Sequence, residues 1–177
     1  MTDYIDKIDP NATIMCSYSS TLKYKCNYKM LITEIMKTTH QQGPQMLSNE
    51  ELFINGLKCE IRYNSGHYNG YITDPVINNI REDDIDYCPH GGFTAGWGFD
   101  CVHGGDLSLN PMFNLTTAAF SIELLQIPFP LNPPKGMFSN NATFKTRSFV
   151  INELKKLTMS ILKHKKEKDD AYKNIHV

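Results

Sequence analysis

The chain has 177 residues, 41% hydrophobic and 21% charged, with 18 Lys+Arg against 19 Asp+Glu for a net charge of -1. That length predicts one domain with a core large enough to stand without staples. The balanced charge argues against the basic footprint of a nucleic-acid binder, and the composition against a disordered acidic chain. Five cysteines, Cys16, Cys26, Cys59, Cys88 and Cys101, make an odd count with no Cys-x-x-Cys pair, which argues against a zinc ribbon. The polar start at Met1–Lys7 has no apolar stretch, and no apolar run reaches the ~20 residues that span a bilayer. An intracellular, cytoplasmic protein with reduced thiols and no membrane contact is therefore expected.

Residues 1–26 read as an irregular, Tyr/Ser-rich arm. Met30, Leu31, Ile35 and Met36 fall at helical spacing within 27–39, and Gly43-Pro44 closes that helix. The stretch 47–55 reads as a weaker helix, with Ser48 as N-cap and Glu51 three residues on. Residues 58–63 alternate polar and apolar and predict a strand, followed after Asn64-Ser65-Gly66 by a second at 67–72, together a hairpin. Residues 92–95 and 97–102 read as two further strands about Gly96. The acidic run 82–86 before them is expected to be a solvated loop, with Arg62 available to pair with it. Residues 107–145 form a long connection marked by Pro128, Pro130, Pro133 and Pro134. Val150, Leu154, Leu157 and Ile161, widened by Ile151 and Leu162, predict a C-terminal helix over 146–164, with Thr146 as cap. The fold class expected is α+β: a small, mostly antiparallel sheet from the motif-bearing core at 58–106, covered by the C-terminal helix and at least one N-terminal helix.

The glycines concentrate the chemistry. Eight of the eleven lie between Gly66 and Gly105, where His67, His90, Asp100, Cys101, His103 and Asp106 also fall. Strand alternation would put Cys101 and His103 on one face and Asp100 on the other, with Gly104-Gly105 swinging Asp106 back toward His103. Three chemistries compete. His67, His90 or His103 could act as acid and base, oriented by Asp100 or Asp106, without any metal, with His90 and His103 the favoured pair. The same histidines and a carboxylate could instead hold a divalent cation, although no recognised ligand spacing is present. Cys101 could be a nucleophile served by His103, but Asp100 beside it would raise the thiol pKa, and a buried core role suits it better. The metal-free site ranks first. Around it, His67, Arg62 and Tyr71 are read as substrate contacts, and the amides of Gly91, Gly92, Gly104 and Gly105 as a nest for an anionic group.

The ordered pieces Cys59-Glu60-Ile61-Arg62, Gly66-His67-Tyr68-Asn69-Gly70-Tyr71, Asp83-Asp84-Ile85, His90-Gly91-Gly92-Phe93-Thr94 and Gly98-Phe99-Asp100-Cys101-Val102-His103-Gly104-Gly105-Asp106 resemble a poorly characterised family of bacteriophage and viral proteins. Phe149-Val150-Ile151-Asn152-Glu153 is similar to that family's closing helix, which carries a Val-x-x-Glu step. The resemblance spans residues 58–106 and 144–162, departs at Asn69, where the family tends to have Cys, and at 73–82. It implies a shared site of His67, His90, Asp100, His103 and Asp106, in a protein of a virus-infected host cell. The function expected is a small hydrolytic or phosphotransfer enzyme acting on a small polar, nucleotide-like ligand. The alternatives are a non-catalytic protein that sequesters such a ligand and a structural or interaction protein.

Overall fold

The computed structural model describes residues 2–42, 45–94, 96–110, 128–135 and 141–175. A one-turn helix α1 (Thr2–Ile5) leads to the hairpin β1 (Thr13–Ser17) and β2 (Lys23–Asn27), so the first 26 residues are not the irregular arm expected of them. Cys16 and Cys26 are joined as a disulfide across this hairpin, which corrects the expectation of five reduced thiols. Helix α2 (Tyr28–Thr38) follows directly, capped by Asn27, whose side chain accepts from the Met30 N–H, and it buries Tyr28, Ile32 and Ile35.

The main sheet then runs β3 (His40–Gln42), β4 (Gln45–Ile54), β5 (Leu57–Asn64), β6 (His67–Ile72) and β7 (Gly98–Asp100), in that spatial order and antiparallel throughout. Strand β4 replaces the helix expected at 47–55. The decisive local feature is Asn55-Gly56, with φ of 51° and 82°, the left-handed pair that a two-residue hairpin turn requires. Ser65-Gly66, at 49° and 81°, repeats the turn between β5 and β6. Only one short strand, β7, forms in the segment read as two; Thr94 merely bridges to Gly98. The acidic run forms a 3-10 turn at Glu82–Asp84.

Alternation gives the main sheet two unlike faces. Leu57, Cys59, Ile61 and Tyr63 of β5, Tyr68, Gly70 and Ile72 of β6, and Phe99 of β7 point one way. Helix α3 (Arg147–Ile175) packs over this face with Phe149, Val150, Leu154, Leu157 and Ile161 fully buried. The approach is close at Gly70, where a Cβ would stand 2.8 Å from the Phe99 ring and 2.9 Å from Val150 Cγ1. Thr146 caps α3 by accepting from the Phe149 N–H at 3.3 Å. The helix continues eleven residues beyond the expected end at 164, through a solvent-exposed stretch of good helix formers supported by Lys163 and Glu167 one turn apart.

The connection read over 107–145 ends in strand β8 (Phe144–Lys145), which pairs in parallel with β1 and completes a small sheet of order β2-β1-β8; its apolar stretch at 115–127 lies outside the described residues. The class is α+β with mostly antiparallel sheets, a C-terminal helix and an N-terminal helix, as the patterning predicts. No helix among the described residues is long and apolar enough to cross a membrane.

Candidate functional site

Three chain segments meet beside β7. Strand β7 ends at Asp100, and the chain turns through His103-Gly104-Gly105, with the Asp106 N–H donating to the His103 carbonyl at 2.8 Å. Asp106 then bridges to Thr143, just ahead of β8, and so comes within reach of Lys145. The His90 loop is tied to α3 from the other side: Glu153, 3% exposed, accepts the His90 N–H at 3.2 Å and the Tyr87 hydroxyl at 2.5 Å.

Asp106 is the hub. Its carboxylate, 1% exposed, takes His90 Nε2–H at 2.9 Å on Oδ2 and the Lys145 ammonium at 2.9 Å on Oδ1. The His103 backbone N–H adds a third bond at 2.9 Å. Burial pushes the carboxyl pKa up, but the bonds from His90, Lys145 and the His103 amide outweigh it and hold the group at about 2. Lys145 is itself shielded; its ammonium also donates to Thr143 Oγ1 at 2.8 Å and sits 5.4 Å from the Phe149 ring centre. The His90 ring packs edge-to-face on Phe149 at 5.1 Å and on His103 at 5.6 Å between centroids. Both imidazoles keep part of their surface in solvent.

Among the residues expected at a site, His90, His103, Asp100 and Asp106 do come together. His103 Nδ1 lies 3.4 Å from Asp100 Oδ1 and 3.6 Å from Asp106 Oδ2, and hydrogen-bonds to neither. Gly91 is the floor under His103, since a Cβ there would stand 1.9 Å from His103 Cε1. The anion nest fares less well: the Gly92 N–H is spent on the Pro89 carbonyl at 2.9 Å, while Gly104 and Gly105 border open space.

His67 is buried at the start of β6 with Nδ1 3.2 Å from the Ser65 carbonyl, and burial pulls its pKa below the ordinary value. It interacts electrostatically with Asp100, Asp106 and His103. Arg62 does not pair with the acidic run; it bonds Glu60 at 2.5 Å and stacks 4.4 Å over the Tyr71 ring. The run instead faces α3, where Asp86 meets Lys163 at 2.5 Å. Cys101 leaves the strand and packs into the core, so it does not share an open face with His103, and burial drives its thiol pKa well up. That environment opposes a thiolate nucleophile.

One ring nitrogen each from His90 and His103 and a carboxylate oxygen of Asp106 fall within 4.8 Å of one another, a spacing that three ligands of one cation would need. The Lys145 ammonium in contact with that carboxylate argues the other way, because it already supplies the positive charge a divalent ion would bring. Lys145 and Tyr87 are parts of the site that none of the site motifs points to, while Phe149 opens the closing-helix motif. An isolated lysine in a proline-rich connection carries no signal; Glu153 was visible only in the Val-x-x-Glu step.

Compared with protein families, with curated proteins and with solved structures, the chain finds no match.

Proposed function

We propose that this chain is a small enzyme of the phage and viral family its motifs resemble, hydrolysing or transferring a group on a small polar ligand by metal-free acid–base chemistry. The observation that carries the reading is the pairing of His90 Nε2 with the buried Asp106–Lys145 couple, beside a second half-exposed histidine. With Nε2–H committed to Asp106, the His90 lone pair sits on Nδ1, ready to take the proton of an attacking water or hydroxyl. The nucleophile's oxygen bonds to the phosphorus or carbonyl carbon, and the leaving oxygen departs with a proton from His103. Asp100 steadies His103 for that donation, and Asp106 fixes the tautomer of His90 as a carboxylate commonly does.

The test is turnover of small phosphoesters and acyl esters by the purified protein and by His90→Ala, His103→Ala and Asp106→Asn. A loss of about 10²–10⁴ in each variant is expected, the usual share of a positioned acid or base. Turnover that survives both histidine changes would sink the reading, and ligand binding without turnover in the parent protein would favour the sequestering alternative. Chelation should leave the rate unchanged, whereas a stoichiometric zinc or manganese in elemental analysis would overturn the metal-free mechanism.

A further inference from the structure

The polar face of the main sheet carries a row of three side chains that leads into the histidine pair. Asn69, in the middle of β6, lies opposite Arg62 of β5 and Asp100 of β7, so all three leave the same face. Directly opposed residues have Cβ atoms about 5 Å apart, which sets Asn69 and Asp100 side by side on that face. Asn69 is 3% exposed, and its Nδ2 donates to Asn64 Oδ1 at 2.8 Å. Its Oδ1 is buried with no hydrogen-bond partner among the described residues. On the other side of Asp100, His103 Nδ1 is buried and unpartnered in the same way.

Charge singles out the same place. Arg62 is matched by Glu60 at 2.5 Å and Asp106 by Lys145 at 2.9 Å. Asp100 meets only the imidazole of His103 at 3.4 Å and no lysine or arginine among the described residues. It also accepts the Val102 N–H at 3.3 Å and interacts electrostatically with His67 of β6. A buried acceptor left unmade is costly, and an unmatched carboxylate beside it compounds the demand for donors. The complementary group is all donor and brings one N–H to each oxygen. A phosphate or carboxylate end of a ligand would be repelled here.

We propose that Asn69 Oδ1 and the Asp100 carboxylate form an acceptor subsite for an amidine-type edge, two adjacent N–H groups, on the ligand processed by His90 and His103. This rests on the acid–base reading of that pair and specifies its substrate. It also fixes the ligand's polarity, with the donor edge over β6 and β7 and the reacting centre beside the imidazoles. Two sources present such an edge: a guanine-type base and an alkyl guanidinium.

Titration calorimetry with guanosine 5′-monophosphate, inosine 5′-monophosphate and agmatine tests it. Guanosine monophosphate binding at least ten-fold tighter than inosine monophosphate, which lacks the second donor, assigns the base source; agmatine binding alone assigns the guanidinium. In either case Asp100→Asn and Asn69→Leu weaken binding ten-fold or more, while Asn69→Asp, which keeps an acceptor, retains it. Asp100 is half-exposed, so its variant carries the test should Asn69→Leu fail to fold. Binding by none of the three probes overturns the proposal. So does equal binding of the two nucleotides without agmatine, or affinity unchanged in both weakening variants. Two separate measurements keep the readings apart: probe binding that depends on Asp100 stands whether or not the parent protein turns over an ester, and ester turnover without probe binding overturns the subsite alone.

Discussion

Lys145 Nζ stands 2.9 Å from Asp106 Oδ1, and both side chains are withdrawn from solvent. The pair joins β8 to the loop after β7, so it holds two distant stretches of chain and the site at once. Removing one partner of a buried pair leaves a bare charge and costs about 3–5 kcal/mol, while replacing both with apolar groups is often neutral. Asp106 keeps its bonds from His90 and the His103 amide, so the lower end applies. Lys145→Met should lose about 3 kcal/mol in urea unfolding, and adding Asp106→Asn, which removes the bare charge yet keeps an acceptor for His90 and the His103 amide, should regain part of it. A single variant as stable as the parent would show that the pair holds nothing.

The same carboxylate sets a pH window. Asp106 titrates at about 2 in the fold against an ordinary 3.8. The folded state therefore binds the proton less readily than the unfolded chain, and the group adds about 2 kcal/mol that is complete above pH ~4 and lost as pH falls toward ~2. Burial depresses the His67 pKa below 6.5, which has the same sign in a higher window: stability is full above that value and declines as pH drops through the folded pKa. Unfolding free energies measured from pH 2 to 8 should show both slopes. Asp106→Asn shallows the lower one, which other bonded carboxylates such as Glu50 and Glu60 share, and His67→Gln shallows the upper; an unaltered slope in either variant contradicts its assignment.

How much of this was legible beforehand depends on the range of the interactions. The β5–β6 hairpin, α2 and α3 followed from period and turn residues, because alternation and 3.6-residue spacing are local. The apparent capping pattern of Ser48 and Glu51 favours a helix where β4 forms, although Asn55-Gly56 announces a hairpin within two residues of its end. The clustering of His90, His103, Asp100 and Asp106 was visible because glycines bracket all four. Lys145 was not, since a two-residue parallel strand delivers it from 39 positions beyond Asp106, and no periodicity encodes that.

Glu153 should behave as an anchor for the His90 loop. It is buried on α3 and accepts from the Tyr87 hydroxyl, the His90 N–H and the Lys156 ammonium at 2.8 Å. Glu153→Leu would strand the first two donors, at about 1–3 kcal/mol for each left unsatisfied. The expected signature is local: amide hydrogen exchange quickens across residues 87–93 while the α3 core stays protected. Exchange unchanged in that loop would mean that Glu153 does not position it.

Gly91 and Gly104 offer a sharper contrast, because both border His103 in sequence or space yet only one supports it. Gly91 has φ +73° and its absent side chain is the room that the His103 ring fills, 1.9 Å from where a Cβ would be. Alanine there suffers twice: the left-handed backbone costs about 1–2 kcal/mol, and the ring, whose backbone N–H is pinned to Asp106, must swing out. Gly104 has open space around its Cβ position. Gly104→Ala should therefore stay within about 0.5 kcal/mol of the parent and keep its turnover. Gly91→Ala should lose turnover to the level of His103→Ala and shift the His103 ring resonances in NMR spectra. If Gly91→Ala left those resonances in place, the floor of the site would lie elsewhere.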